Sequence, residues 1–168
     1  FDAFKTIEPI DRSTPFGEAS SGIKKVRIGD VDALFVSRHG EHHERLPTEV
    51  NFRANIFALK RAGAKAIMSF SAVGSLQKEM APGHCVVPTS YIDRTKGIRA
   101  HTFLGNGLVG HVSLAKPVCI EAIEEIKKTA SKYEFTTHFG QTYVCIEGPY
   151  FSTVAEAHYH RQIGADII

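Results

Sequence analysis

The residues best suited to chemistry stand at the end of an apolar run. Residues 33–37, Ala-Leu-Phe-Val-Ser, lead directly into Arg38-His39-Gly40. An apolar run of this length closed by a glycine reads as a buried strand of an α/β sheet. Such sheets bind ligands just beyond the carboxyl ends of their strands. Arg38 and His39 therefore stand where a small anion such as phosphate would be held. A guanidinium offers a rigid fork of donors matched to phosphate, and its charge-assisted bonds are about twice as strong as neutral ones. Ser71, at the end of the next expected strand, adds a hydroxyl donor. A surface arginine beside a half-buried histidine is the simpler alternative for the pair, as a turn serine is for Ser71.

Other constellations are weaker. His39, His42 and His43 invite a metal reading, but Gly40 interrupts them, no H-E-x-x-H is present and no carboxylate pair completes a ligand shell, so no metal is expected. Gly105-Asn106-Gly107-Leu108-Val109-Gly110 satisfies G-x-G-x-x-G literally but neither follows a strand nor opens a helix, which excludes a dinucleotide site. The P-loop and nucleophile-elbow patterns are absent. Phe151, between Pro149-Tyr150 and an expected helix start, could stack on a flat base or serve equally as a core aromatic.

The elements that must position these residues follow an alternating pattern. Apolar runs at 25–28 and 33–37 flank Gly29-Asp30, a hairpin signal. Pro47-Thr48 opens a helix with Thr48 as N-cap; Val50, Ala54, Phe57 and Arg61, widened by Ala58, form its stripe, and Gly63 closes it. Residues 66–70, Ala-Ile-Met-Ser-Phe, are expected to be a second buried strand, making 33–70 a β-loop-α-β unit with a right-handed crossover. A turn of small residues, 71–75, follows. Strands are further expected at 84–87 and 142–146, with a long polar loop over 91–110. A helix over 120–133 carries the stripe Ile123, Ile126, Ala130 and Tyr133, with Glu124 facing Lys128. Thr153-x-x-Glu156 is a capping box for a last helix that stops at Gly164 before a strand at Asp166.

Composition bounds the function. The chain has 168 residues, 43% hydrophobic and 23% charged, with a net charge of +2. This suits one globular domain and disfavours nucleic acid, since no Lys/Arg-rich run exists. Three widely spaced cysteines without a C-x-x-C pair read as reduced thiols. No secretory leader and no apolar run of about 18 residues is present, so no membrane partner and a cytoplasmic location are expected.

Taken together, several segments resemble the methylthioadenosine phosphorylase branch of the nucleoside phosphorylases. They are Thr14-Pro15-Phe16-Gly17; Arg38-His39-Gly40 with Pro47 and Val50-Asn51-Phe52-Arg53-Ala54-Asn55; Ala72-Val73-Gly74-Ser75; Ile92-Asp93-Arg94-Thr95; Glu147-Gly148-Pro149-Tyr150-Phe151-Ser152; and Gly164-Ala165-Asp166-Ile167-Ile168. The resemblance implies an α/β, three-layer phosphorylase/hydrolase-like fold with a central mixed, mainly parallel sheet, forming a single domain over 1–168. It implies phosphorolysis of 5′-methylthioadenosine to adenine and 5-methylthioribose 1-phosphate, with inorganic phosphate as co-substrate and no cofactor or metal. The alternatives are a phosphorylase of 6-oxopurine nucleosides (inosine, guanosine or methylthioinosine) and a truncated, non-catalytic homologue.

Carried onto this chain, the resemblance gives Arg38, His39 and Ser71 to phosphate and Ala72, Val73 and Gly74 to the base, with Phe151 covering its ring. His43 would lie near the ribose. His111 would reach the 5′ pocket of a neighbouring subunit in a homotrimer or a multiple of one. Val73 departs from the cysteine of the animal methylthioadenosine enzymes, which leaves the base open. The family's glycine-rich phosphate loop would precede Phe1, and its Met-Thr ribose contact and purine-binding Asp would follow Ile168. The sheet is therefore expected to be incomplete at both ends and this portion inactive alone, with no catalytic residue assigned within it.

Overall fold

A computed structural model describes residues 5–168, with side chains described from Ile10 onward. The described chain divides into two compact units: the first comprises residues 5–70 with Lys96–Gly105, and the second Ser71–Thr95 with Asn106–Ile168.

The first unit is built on an antiparallel sheet of order β1-β4-β5, from β1 (Lys5–Ile10), β4 (Ile23–Ile28) and β5 (Val31–Phe35). The short pair β2 (Ser13–Thr14) and β3 (Gly17–Glu18) interrupts it in sequence. The hairpin expected at Gly29-Asp30 forms, with Ile28 opposite Val31. Gly29 has φ of 56°, as a two-residue turn with glycine first requires.

The helix α1 (Phe52–Arg61) starts later than the sequence suggests. Asn51, not Thr48, is its N-cap: the Ala54 amide donates to Asn51 Oδ1 at 3.2 Å. Pro47–Glu49 forms a separate 3-10 turn. The end falls as expected. Gly63, at φ 96°, donates to Lys60 O, and Ala64 donates to Leu59 O, the paired bonds of a Schellman closure. The buried face of α1 is Ala54, Asn55, Ala58 and Leu59, rotated from the expected stripe. Ala58 and Leu59 pack with Ala19 and Ile23, flanked by Ile10, Leu34, Val36 and Ala64.

Residues 66–70 are not a strand, which corrects the expected crossover unit. β5 instead pairs antiparallel with β4. Among the described residues no strand lies against 66–70, and Phe70 is 78% exposed. The physical reason is that a strand is defined by its ladder, and an apolar run without a partner stays an extended segment.

The second unit carries the parallel pairing of the fold: β6 (Cys85–Asp93) beside β7 (Thr137–Cys145). Both strands are longer than the short runs read from sequence, so the loop expected from Tyr91 begins only after Asp93. Helix α2 (Ile120–Ala130) ends three residues before Tyr133; of its stripe only Ile123 is fully buried. Its ion pairs run Glu124–Lys127 and Glu125–Lys128, in place of Glu124–Lys128. Helix α3 (Val154–Gln162) has the expected capping box between Thr153 and Glu156 and closes on Gly164 at φ 86°. The strand expected at Asp166 is reduced to bridges from Ile167 to Tyr143 and Ser75. Leu76, Val144 and Ala165 form the core here, with Ile92, Ile146, Ala157 and Ile168 around them.

Candidate functional site

In the first unit Arg38 and His39 follow β5 on a tight turn. The turn closes through Gly40 N to Ser37 O at 3.0 Å and Arg45 N to His39 O at 2.9 Å. Gly40 has φ of 88°, and a Cβ there would run into the Glu44 carboxylate. The positive φ favours glycine, and any side chain here would also have to displace the Glu44 carboxylate.

His39 is fixed by its own loop, its Nδ1 lying 2.9 Å from the Arg45 carbonyl oxygen. A carbonyl only accepts, so in the neutral ring Nδ1 carries the hydrogen and Nε2 presents the lone pair. The His43 ring stacks on it at 4.9 Å and 19°, with His43 held at φ of 58°. Arg45 in turn donates from Nε to Ser20 O at 3.0 Å. Arg38 uses one donor: Nη1 to the Phe70 carbonyl at 3.0 Å, one residue before Ser71 in the chain. Four guanidinium N–H groups remain on a half-buried side chain, enough for a bidentate oxyanion contact. Glu44 is held below the usual carboxylate range by its own backbone N–H and that of His42.

The first unit thus brings together Arg38, His39 and His43. Ser71, Ala72, Val73, Gly74, His111 and Phe151 belong to the second unit. Gly74 is anchored by reciprocal bonds with Ile168, N to O at 2.7 Å and O to N at 2.9 Å. A Cβ on Gly74 would lie 3.1 Å from Ile168 Cγ2, so the small residue suits a close backbone approach. Ser71, Ala72, Val73 and His111 are exposed, and Phe151 is 95% exposed.

Two polar residues to which the sequence reading gave no role of their own hold this framework. Buried Asn55 accepts from Ser20 N at 2.7 Å and donates to Ser20 Oγ at 3.0 Å. Asp166 accepts from Gln77 Nε2 at 2.9 Å and from Thr142 N at 2.8 Å, tying the end of the chain to β7. A cleft of about 340 Å³ in the first unit lies between Phe16, Phe52, Arg53 and Arg99. There the Arg53 guanidinium stands 5.2 Å over the Phe16 ring and that of Arg99 5.2 Å over Phe52. Among the described residues no group of three or more His, Cys, Asp or Glu side chains could hold a metal ion.

An arginine and a histidine just beyond a strand end, on a chain of mixed helices and strands with a parallel ladder, define an α/β protein. Residues 3–168 match the family described as the phosphorylase superfamily, and the chain belongs to that family. It is 43% identical over 167 residues to an S-methyl-5′-thioadenosine phosphorylase of Geobacter sulfurreducens, covering 99% of this chain and 58% of the relative. It is 47% identical over 155 residues to the enzyme of that name from Thermofilum pendens, covering 92% of this chain and 59% of the relative.

Among solved structures, a methylthioadenosine phosphorylase from an antarctic soil metagenomic library superposes with a TM-score of 0.92 at 44% identity, covering 100% of this chain and 59% of that one. The methylthioadenosine phosphorylase of Schistosoma mansoni in complex with adenine gives 0.91 at 33%, covering 99% and 65%. These likenesses bear out the phosphorylase-type α/β fold expected from the sequence. The chain spans about three fifths of the length of the curated relatives it matches. No helix among the described residues is long and apolar enough to cross a membrane.

Proposed function

We propose that this chain serves phosphorolysis of 5′-methylthioadenosine, releasing adenine and 5-methylthioribose 1-phosphate. The observation that carries this reading is the Arg38–His39 turn, set in a chain 43% identical to a methylthioadenosine phosphorylase. Phosphate is the nucleophile. Its oxygen forms a bond to the anomeric carbon as the glycosidic bond breaks, and the electron pair departs with the purine.

Arg38 grips two phosphate oxygens and lowers the cost of bringing a dianion to the sugar. The Nε2 atom of His39, directed by the Arg45 carbonyl, is the ring atom available to phosphate; protonated it donates to an oxygen, and neutral it accepts from HPO4²⁻ or H2PO4⁻. Ser71 supplies a hydroxyl donor. Ala72, Val73 and Gly74 line the base, Phe151 stacks on it, His43 lies by the ribose and His111 serves a neighbouring subunit of a homotrimer or a multiple of one. Catalysis on this reading is positioning of two reactants with donors aimed at the phosphate, without cofactor or metal. The protein acts in the cytoplasm.

The test is a base-release assay on the protein at its full natural length, with 5′-methylthioadenosine, inosine and methylthioinosine, each with and without phosphate. Phosphate-dependent release of adenine from methylthioadenosine, well ahead of release from the two 6-oxopurines, is expected. Release from none of the three rejects the enzyme reading, and preference for inosine reassigns the substrate.

A further inference from the structure

We propose that His84 and His138 form a two-histidine chelate for a divalent transition-metal ion that prefers cis ligands near a right angle, Ni²⁺ or Cu²⁺. Nδ1 of His84 lies 2.9 Å from Nε2 of His138, and the ring centroids are 5.1 Å apart. The two residues stand at neighbouring strand starts. His138 is paired in register with Val86, two residues beyond His84, so both side chains lie on one face of the parallel ladder.

The backbone there is held from both sides: Cys85 donates to Thr136 O at 2.9 Å and His84 donates to Ala81 O at 3.1 Å. Both imidazoles are half-buried, with solvent at one side to complete a coordination shell.

The separation of the two nitrogens fits one coordination geometry more closely than another. With metal–nitrogen bonds of about 2.0–2.1 Å, two cis nitrogens at about 90° are about 2.9 Å apart, whereas a tetrahedral ion such as Zn²⁺ sets them about 3.3 Å apart. The tautomers are nearly ready. The Ala81 amide approaches His84 Nδ1 at 3.3 Å, so this atom presents its lone pair in the neutral ring, and the bond between the rings comes from the Nε2 hydrogen of His138. Binding requires His138 to shift that hydrogen to its own Nδ1 through solvent, with no net release of protons from two neutral rings. The ion then replaces one hydrogen bond between the rings and the long one from Ala81 with two metal–nitrogen bonds, water filling the other positions.

The experiment is a titration of the chelator-treated full chain with Ni²⁺, chosen over Cu²⁺ because the chain carries free thiols. Ring-proton signals of His84 and His138 should broaden before those of the other histidines, saturably. H84Q and H138Q should each weaken Ni²⁺ at least tenfold, and Zn²⁺ should bind the wild type more weakly than Ni²⁺. A Ni²⁺-dependent rise in Tm should accompany binding and vanish in both variants. Broadening that starts at His39, His42 or His43, or equal affinity in wild type and both variants, overturns the proposal. The wild-type spectra decide it even if a variant fails to fold.

Discussion

His39 and Arg45 hold each other twice: the Arg45 amide donates to the His39 carbonyl at 2.9 Å, and the His39 ring meets the Arg45 carbonyl at 2.9 Å. The second bond decides which ring nitrogen faces outward. Nitrogen-15 spectra of the neutral His39 ring are expected to show the Nδ1–H tautomer. The Nε2–H tautomer would mean that the loop does not orient the ring.

Arg38 spends one donor on Phe70 O and keeps the rest. Arg38→Ala is expected to raise the phosphate KM about 10- to 100-fold, the equivalent of about 1.5–3 kcal/mol for a hydrogen bond to a charged group. Its effect on Tm should be small, since the protein loses a single hydrogen bond, to the Phe70 carbonyl. Kinetics against phosphate and thermal melts of the same variant check both halves; unchanged phosphate kinetics removes Arg38 from the site.

Asn55 is a buried polar group satisfied wholly by Ser20. Asn55→Ala leaves the Ser20 amide without an acceptor, and the expected loss is about 1–3 kcal/mol. A double-mutant cycle with Ser20→Ala, by urea unfolding, should show the two losses to be non-additive. Because Ser20→Ala keeps the amide donor, full additivity would indicate that the Nδ2–Oγ bond contributes no coupling.

Gly40 and Gly63 both sit at positive φ, but only at Gly40 would a new Cβ meet another group, the Glu44 carboxylate. Gly63→Ala should cost about 1–2 kcal/mol of backbone strain alone. Gly40→Ala should cost more, because Glu44 must also leave the His42 amide, 2.8 Å away. The carboxyl of Glu44 should then titrate closer to its ordinary range. Equal melting losses in the two variants would show that Glu44 moves aside freely.

Glu156 accepts from the Thr153 amide at 2.7 Å and from its hydroxyl at 2.9 Å; the backbone bond first, then the hydroxyl, lowers its pKa from an ordinary 4.5. The ionised form is therefore favoured in the folded state. The stabilisation is present above pH 4.5 and lost as pH falls below that value through the folded pKa. Melting curves between pH 7 and 3 should show a steeper acid loss for wild type than for Glu156→Gln. Parallel curves would show that the capping carboxylate does not contribute.

Local rules made much of this chain readable. The hairpin at Gly29-Asp30, the capping box of Thr153 and Glu156, and the closures at Gly63 and Gly164 each depend on residues within a few positions of one another. What failed depended on distant partners. Thr48 and Asn51 are both good caps, and the choice of Asn51 comes with its further bond, Nδ2 to Phe16 O at 2.7 Å. Residues 66–70 have strand chemistry but no ladder among the described residues, so composition alone over-assigned them.

The order of residue types along the chain determined the α/β class, the glycine closures at Gly63 and Gly164 and the Thr153–Glu156 cap, because dihedral preference, periodicity and charge are properties of short windows. Only the tertiary structure decided which nitrogen of His39 faces outward, that Asn55 is buried against Ser20, and that His84 meets His138. Those depend on hydrogen bonds and strand register joining residues up to 54 positions apart, and a linear reading carries no distance between them.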